Sequence, residues 1–71
     1  RFNRKEAALA ARQVRALLAA GLAPGQVAVI TPYRGQVRLL RDMLAEHPGL
    51  EIDSVDGFQG REKEAVVISL V

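Results

Sequence analysis

An unbroken apolar run from Val27 to Ile30 is the feature that most constrains how this chain can fold. Short, continuous runs rich in β-branched residues predict strands that are buried on both faces, as in a parallel sheet. The run follows a Pro-Gly turn and is followed by Thr31 and Pro32. Because proline suits the first position of a helix, we expect a helix to begin there. A strand followed at once by a helix favours an α/β fold.

Helical spacing of apolar residues appears on both sides of this strand. Asn3 and Glu6 have the spacing of a capping box, in which the asparagine caps the helix and the glutamate reaches back to it. The apolar pattern that follows predicts a helix from about Arg4 to Ala20. A second apolar stripe after Pro32 predicts a helix that ends at about Glu46.

Two further apolar segments, Leu50 to Val55 and Ala65 to Val71, predict a second and a third strand. The order is then helix, strand, helix, strand, loop, strand, which predicts an α/β layer with a mostly parallel sheet, flanking helices and right-handed crossovers. The chain starts at Arg1 rather than at a methionine and stops inside an apolar run. We therefore expect residues 1–71 to be a fragment of a larger domain, incomplete at both ends.

Composition excludes several classes of function. The chain has 71 residues, no cysteine and one histidine, so disulfides, thiolate metal sites and multi-histidine metal sites are excluded, and no metal site is expected. The net charge of +2 does not by itself identify a nucleic-acid binder. No apolar run is long enough to cross a bilayer and nothing resembles a signal peptide, so we expect an intracellular protein with no membrane partner.

Two polar segments follow predicted strands, where ligands bind in open α/β sheets. Thr31 to Gln36 follows the first strand and Ser54 to Lys63 follows the second, and each brings an arginine to the same edge. The plain alternatives are a strand-to-helix turn capped by Thr31 with a solvated Arg34, and an ordinary surface loop. The sequence has no Gly-x-x-x-x-Gly-Lys-Ser/Thr loop, so this chain cannot complete nucleotide chemistry alone.

The same two segments resemble motifs of a known enzyme family. Residues Val27 to Val37 resemble helicase motif IV, and residues Ser54 to Glu64, followed by Val66 to Ser69, resemble motif V. The family is the superfamily-one helicases, in the branch that contains the nonsense-mediated-decay helicase and the immunoglobulin-mu-binding helicases. The resemblance covers essentially the whole chain and implies part of a RecA-like domain of the P-loop NTPase type. That domain would be the second of two in an ATP-dependent helicase.

The resemblance also implies roles in ATP binding. Tyr33 would pack near the adenine, and Arg34 would contact the γ-phosphate as an arginine finger supplied from the second domain. Glu62 would hydrogen-bond the ribose, and Gly60 would bring backbone close to the phosphates. The cofactor would be ATP with Mg²⁺, and the metal would be held by the first RecA-like domain of the same protein.

The remaining roles concern coupling and the nucleic acid. Gln59 and Arg61, on the ATP side, would help to couple the ATP cleft between the two domains to the surface that binds the nucleic-acid strand. Thr31, Ser54 and Val55 would face the backbone of single-stranded DNA or RNA. The arginine-rich helices and the lack of a complete catalytic set leave one alternative open, a non-catalytic nucleic-acid or protein interaction module with a RecA-like fold.

Overall fold

Two α-helices and three strands make up the described part of the chain, which in this computed structural model comprises residues 3–58 and 63–69. The elements are α1 (Arg4–Ala19), a 3-10 turn (Pro24–Gln26), β1 (Val27–Thr31), α2 (Arg34–Met43), β2 (Glu51–Ser54) and β3 (Ala65–Ile68). The strands form one parallel sheet in the order β2-β1-β3. The predicted α/β fold with a mostly parallel sheet is confirmed.

The core lies between the two helices and one face of the sheet. Alternate strand residues point to that face, so Val27, Val29, Ile52 and Val67 join the helices there. Small side chains on α1 allow it to pack closely against the sheet and α2. The buried apolar residues of the two helices are Ala7, Ala10, Ala11, Val14, Val37 and Leu40.

The helix boundaries correct two predictions. The second helix begins at Arg34 and not at Pro32, because Tyr33 keeps an extended backbone (φ −114°, ψ 128°) and serves as the N-cap. It ends at Met43 and not near Glu46, because Leu44 leaves the helical region (φ −112°, ψ 27°). A proline at position 48 also disfavours helical geometry in the residue before it.

The start of α1 corrects the predicted capping box. Asn3 is the N-cap, and its Oδ1 accepts a hydrogen bond from the Glu6 backbone N–H at 3.0 Å, as expected. The backbone N–H of Asn3 donates to Oε1 of Gln36 at 2.7 Å, so the reciprocal bond comes from the other helix and not from the Glu6 side chain. The end of α1 follows prediction, with Gly21 in the left-handed region at φ 115°.

Arg15 ties α1 to the turn that follows α2. Its Nη2 donates to the Met43 carbonyl at 3.1 Å and lies 3.5 Å from Oε2 of Glu46. Glu46 is exposed, and a hydrogen bond from its own backbone, together with the charges of Arg15 and His47, lowers the pKa of its carboxyl.

The connection from β2 to β3 must return from the carboxyl end of the sheet to its amino end, because the two strands are parallel. Its end is held by two bonds to the turn before β1. The Glu64 N–H donates to the Gln26 carbonyl at 2.8 Å, and Nζ of Lys63 donates to the Gly25 carbonyl at 2.9 Å. Nζ of Lys63 also lies 3.8 Å from Oε1 of Glu51. Lys63 therefore fixes where β3 begins.

Candidate functional site

Three hydroxyl residues meet at the carboxyl end of the sheet. Thr31 of β1 is the register partner of Ser54 of β2. On the other side of β1, the Ser69 backbone N–H donates to the Ile30 carbonyl at 2.9 Å, which places Ser69 directly after β3 at the same edge. The starts of the two polar segments therefore lie at one edge, as the sequence predicted, whereas Lys63 lies at the opposite end of the sheet and Arg61 is outside the described residues. We call Thr31, Ser54 and Ser69 the hydroxyl row.

Members of the hydroxyl row differ in exposure. Thr31 and Ser69 are fully buried, and neither Thr31 Oγ1 nor Ser69 Oγ has a hydrogen-bond partner among the residues that the structure describes. Ser54 is half-buried, and its Oγ accepts weakly from the Gly57 N–H at 3.4 Å. Val55, the third residue predicted to face nucleic acid, is 62% exposed. Contact between nucleic acid and Thr31, Ser54 or Val55 stays a prediction.

Tyr33 and Arg34 occupy the start of α2 beside this edge. Tyr33 is 41% exposed, and Arg34, the first residue of the helix, is exposed. Tyr33 caps the helix through its backbone alone, since its carbonyl accepts from the N–H groups of Gln36 and Val37, both at 3.1 Å. The alternative in which Thr31 caps the helix is therefore wrong. A cation on the first turn of a helix is well placed for an anion, because backbone N–H groups point the same way.

A cleft of about 330 Å³ lies between α2 and the end of β2. It is lined by Arg34, Val37, Arg38, Arg41, Asp42, Asp53 and Ser54. One of its arginines makes internal contacts, since Nε and Nη2 of Arg41 donate to the Ile52 carbonyl at 3.1 and 2.7 Å. Arg41 Nη2 also lies 3.9 Å from Oδ2 of Asp53. Arg41 therefore fastens α2 to β2, and Arg34 lines the same cleft.

Asp53 organises the turn that leaves β2. Its Oδ1 accepts from the Ser54 N–H at 2.7 Å, and the Gly57 N–H donates to the Ser54 carbonyl at 3.1 Å. Within residues 3–58 and 63–69, no group of three His, Cys, Asp or Glu side chains could hold a metal ion. No helix in the same ranges is long and apolar enough to span a membrane.

Four predicted ATP-side residues, Gln59, Gly60, Arg61 and Glu62, lie outside the described residues. The described residues on either side of them are Phe58, which is half-buried, and Lys63. The roles predicted for these four residues stay predictions.

Comparison with known proteins identifies the family. The whole chain, residues 1–71, matches a family model described as AAA domain. The chain belongs to this AAA domain family. DNA-binding protein SMUBP-2 of Rattus norvegicus is 54% identical over 70 residues, which cover 97% of this chain and 7% of that protein.

Two further relatives agree with SMUBP-2. DNA polymerase alpha-associated DNA helicase A of Schizosaccharomyces pombe is 48% identical over 71 residues, covering 97% of this chain and 11% of that protein. The Regulator of nonsense transcripts 1 homolog of Arabidopsis thaliana is 42% identical over 78 residues, covering 99% of this chain and 6% of that protein. The resemblance to superfamily-one helicases of this branch is confirmed.

The chain corresponds to only a small part of each relative. The chain spans 7% of SMUBP-2 and 11% of DNA helicase A. The chain is therefore a small α/β part of an AAA domain protein. At the carboxyl end of its sheet, the hydroxyl row and the start of α2 lie side by side.

Sequence reasoning missed the internal contacts of three polar residues at this edge: Gln36, Arg41 and Asp53. Each is used for internal contacts to the backbone. For Gln36 a signal was present, because it lies four residues before the buried Leu40 and therefore on the inner stripe of α2. A glutamine on that stripe must find partners inside the protein.

Proposed function

We propose that this chain is part of the second RecA-like domain of an ATP-dependent helicase, where it helps to couple ATP hydrolysis to movement along DNA or RNA. The observation that carries the proposal is the exposed start of α2. Tyr33 and Arg34 stand at the carboxyl edge of a parallel sheet, next to the register pair Thr31 and Ser54. In α/β folds this edge is where ligands bind.

On the nucleotide side, Arg34 acts as an arginine finger that contacts the γ-phosphate, and the Tyr33 ring packs against the adenine. Both side chains are accessible for this, which fits a ligand that arrives from another domain. Gln59, Gly60, Arg61 and Glu62 complete this half of the site in the proposal. Mg²⁺ and the phosphate-binding loop belong to the first RecA-like domain, in agreement with the lack of such a loop in this sequence.

On the nucleic-acid side, Ser54 and Val55 face the backbone of a single strand. Thr31 was predicted to join them, but its side chain is fully buried beside Ser54, so its contact with the strand is the part of the proposal that needs its own test. Phosphoryl transfer depends on positioning and charge stabilisation. An arginine supplied from a separate domain therefore makes hydrolysis conditional on closure of the ATP-binding cleft between the two RecA-like domains. Closure and reopening of that cleft then move the nucleic-acid contacts of one domain relative to those of the other. A cytoplasmic or nuclear location, where both ATP and nucleic acid are present, fits this role.

The proposal is tested by Arg34→Ala in the whole protein that contains this chain. We expect nucleic-acid-stimulated ATP turnover to fall by about 10³–10⁵-fold, because that is the typical contribution of an arginine finger. Nucleotide binding measured with a non-hydrolysable analogue should change little. Arg34→Lys should not restore turnover, since lysine lacks the planar fork of donors that arginine presents to phosphate.

The matched control is Arg12→Ala, which removes an exposed arginine from α1. It should leave turnover unchanged. Near-normal turnover in Arg34→Ala would overturn the arginine assignment. If the whole protein bound nucleic acid but hydrolysed no ATP, a non-catalytic interaction module would be the better description.

A further inference from the structure

The side chain of Gln36 forms a two-bond clamp with the backbone of Asn3. Its Nε2 donates to the Asn3 carbonyl at 2.9 Å, and its Oε1 accepts from the Asn3 N–H at 2.7 Å. The two residues are 33 positions apart in the chain, and Gln36 is fully buried. A buried amide requires partners of this kind, and here one residue supplies both a donor and an acceptor.

This clamp joins the beginnings of the two helices. Asn3 is the N-cap of α1, and Gln36 lies in the first turn of α2. The first turn of α2 has no side-chain cap of its own, because the side chain of its N-cap residue Tyr33 makes no capping hydrogen bond. Among the described residues, Gln36 therefore makes the side-chain hydrogen bonds that orient this turn relative to α1.

Fixing Gln36 also fixes the direction in which Arg34 leaves the helix. Residues two apart on an α-helix point to nearly opposite sides, since each residue turns the helix by about 100°. Accordingly, Gln36 is fully buried while Arg34 is exposed. A rotation or shift of the first turn that loosened the clamp would displace the Arg34 guanidinium by a similar amount.

We propose that Gln36 is a positioning residue for Arg34, holding the first turn of α2 so that the guanidinium meets the transferring phosphate. The inference rests on the proposed function, in which Arg34 is an arginine finger. Displacement of a catalytic group by about 1 Å can reduce a rate by about 10²-fold. Loss of the clamp is therefore expected to reduce the turnover number and not the affinity for nucleotide.

The first test is Gln36→Met in the whole protein, because methionine fills similar space but offers neither bond. We expect the kcat for ATP to fall by about 10²-fold, with KM for ATP changed less than about twofold. The double variant Gln36→Met with Arg34→Ala should be no slower than Arg34→Ala alone, because both changes remove the same contribution. Strict additivity would show that Gln36 acts elsewhere and would overturn the inference.

The matched control is Gln26→Met at the opposite end of the sheet. Gln26 also bonds the backbone through its side chain, accepting from the Ala23 N–H at 2.8 Å. This variant loses a side-chain bond to the backbone away from the site, so it should leave kcat unchanged. If both glutamine variants reduced kcat equally, Gln36 would have only a structural role.

A pH profile gives a second, independent readout and covers the case in which Gln36→Met does not fold. In Gln36→Glu, a protonated carboxyl can donate to the Asn3 carbonyl and accept from the Asn3 N–H, whereas a carboxylate can only accept. Burial raises the pKa of such a carboxyl, because it disfavours the charged form. The kcat of Gln36→Glu should therefore rise toward the wild-type value as pH falls, while wild type shows no such rise.

The outcomes separate this inference from the proposed function. If Arg34→Ala retains turnover, the arginine assignment fails and the role of Gln36 fails with it. If Arg34→Ala loses turnover while Gln36→Met keeps the wild-type kcat, or the Gln36→Glu profile is parallel to wild type, only the positioning role is overturned.

Discussion

Oδ1 of Asp53 lies 2.6 Å from the point that a Cβ atom on Gly57 would occupy. The same oxygen accepts the Ser54 N–H at 2.7 Å, so it cannot move away without breaking that bond. Gly57 has no left-handed backbone, and its requirement is one of space. The turn that leaves β2 is therefore built by close approach of the backbone to an acidic side chain.

Gly57→Ala is expected to disrupt this turn. The new methyl group would push the Asp53 carboxylate off the Ser54 N–H and cost about 1 kcal/mol, as for a lost hydrogen bond. Thermal unfolding of the whole protein and amide hydrogen exchange at Ser54 would measure this. Gly25→Ala is the matched control, because a Cβ there meets nothing within 4 Å. Equal effects of the two substitutions would contradict the steric argument.

Lys63 is expected to contribute more to stability than a typical surface lysine. Its side chain is only 12% exposed, and its Nζ bonds the Gly25 carbonyl and lies near Glu51. Lys63→Met should destabilise the fold by about 2 kcal/mol, as for loss of a hydrogen bond to a charged group, and Lys63→Arg by less. Denaturant unfolding at two salt concentrations measures the effect.

The comparison for Lys63 is the ion pair of Arg15 and Glu46, whose side chains are about half exposed. Exposed pairs contribute little and are screened by salt. Glu46→Gln should therefore have a small effect that disappears in about 1 M salt. An effect of Lys63→Met that is equally small and salt-sensitive would show that the Gly25 contact contributes nothing.

Arg41 is expected to hold α2 on the edge of the sheet. Arg41→Lys keeps the charge but cannot make both bonds to the Ile52 carbonyl, so about 1 kcal/mol of stability should be lost. The loss should appear as faster hydrogen exchange in β2, measured against Arg12→Lys on the exposed face of α1. Unchanged exchange in β2 would contradict the role.

How far the sequence predicts this fold and site depends on whether the partners are local. The strand Val27 to Thr31 and the cap at Asn3 follow from neighbouring residues, and both were predicted nearly as observed. The bond from Asn3 to Gln36 joins positions 33 apart, so a local capping pattern pointed to the wrong partner.

The end of α2 and the burial of Thr31 depend on tertiary packing in the same way. Helical periodicity continued to Leu44, whose side chain is buried although its backbone has already left the helix. Thr31 ends β1 in the interior because its side chain points to the helix-covered face, with Val27 and Val29. The motif resemblance predicted that Thr31 contacts nucleic acid, but a motif does not indicate whether the Thr31 side chain is buried.

Thr31→Val separates a packing role of Thr31 from a binding role. Valine has nearly the same shape, and a buried hydroxyl without a partner costs about 1–3 kcal/mol relative to an apolar group. Since Thr31 Oγ1 has no partner among the described residues, Thr31→Val should not lower the free energy of unfolding.

If the Thr31 hydroxyl contacts the nucleic acid, the same variant should bind single-stranded DNA or RNA more weakly in a fluorescence anisotropy titration. Ser69→Ala, at the other buried hydroxyl, is the control and should not weaken binding. A Thr31→Val protein that is less stable yet binds normally would show that Oγ1 has a structural partner and no role in nucleic-acid binding.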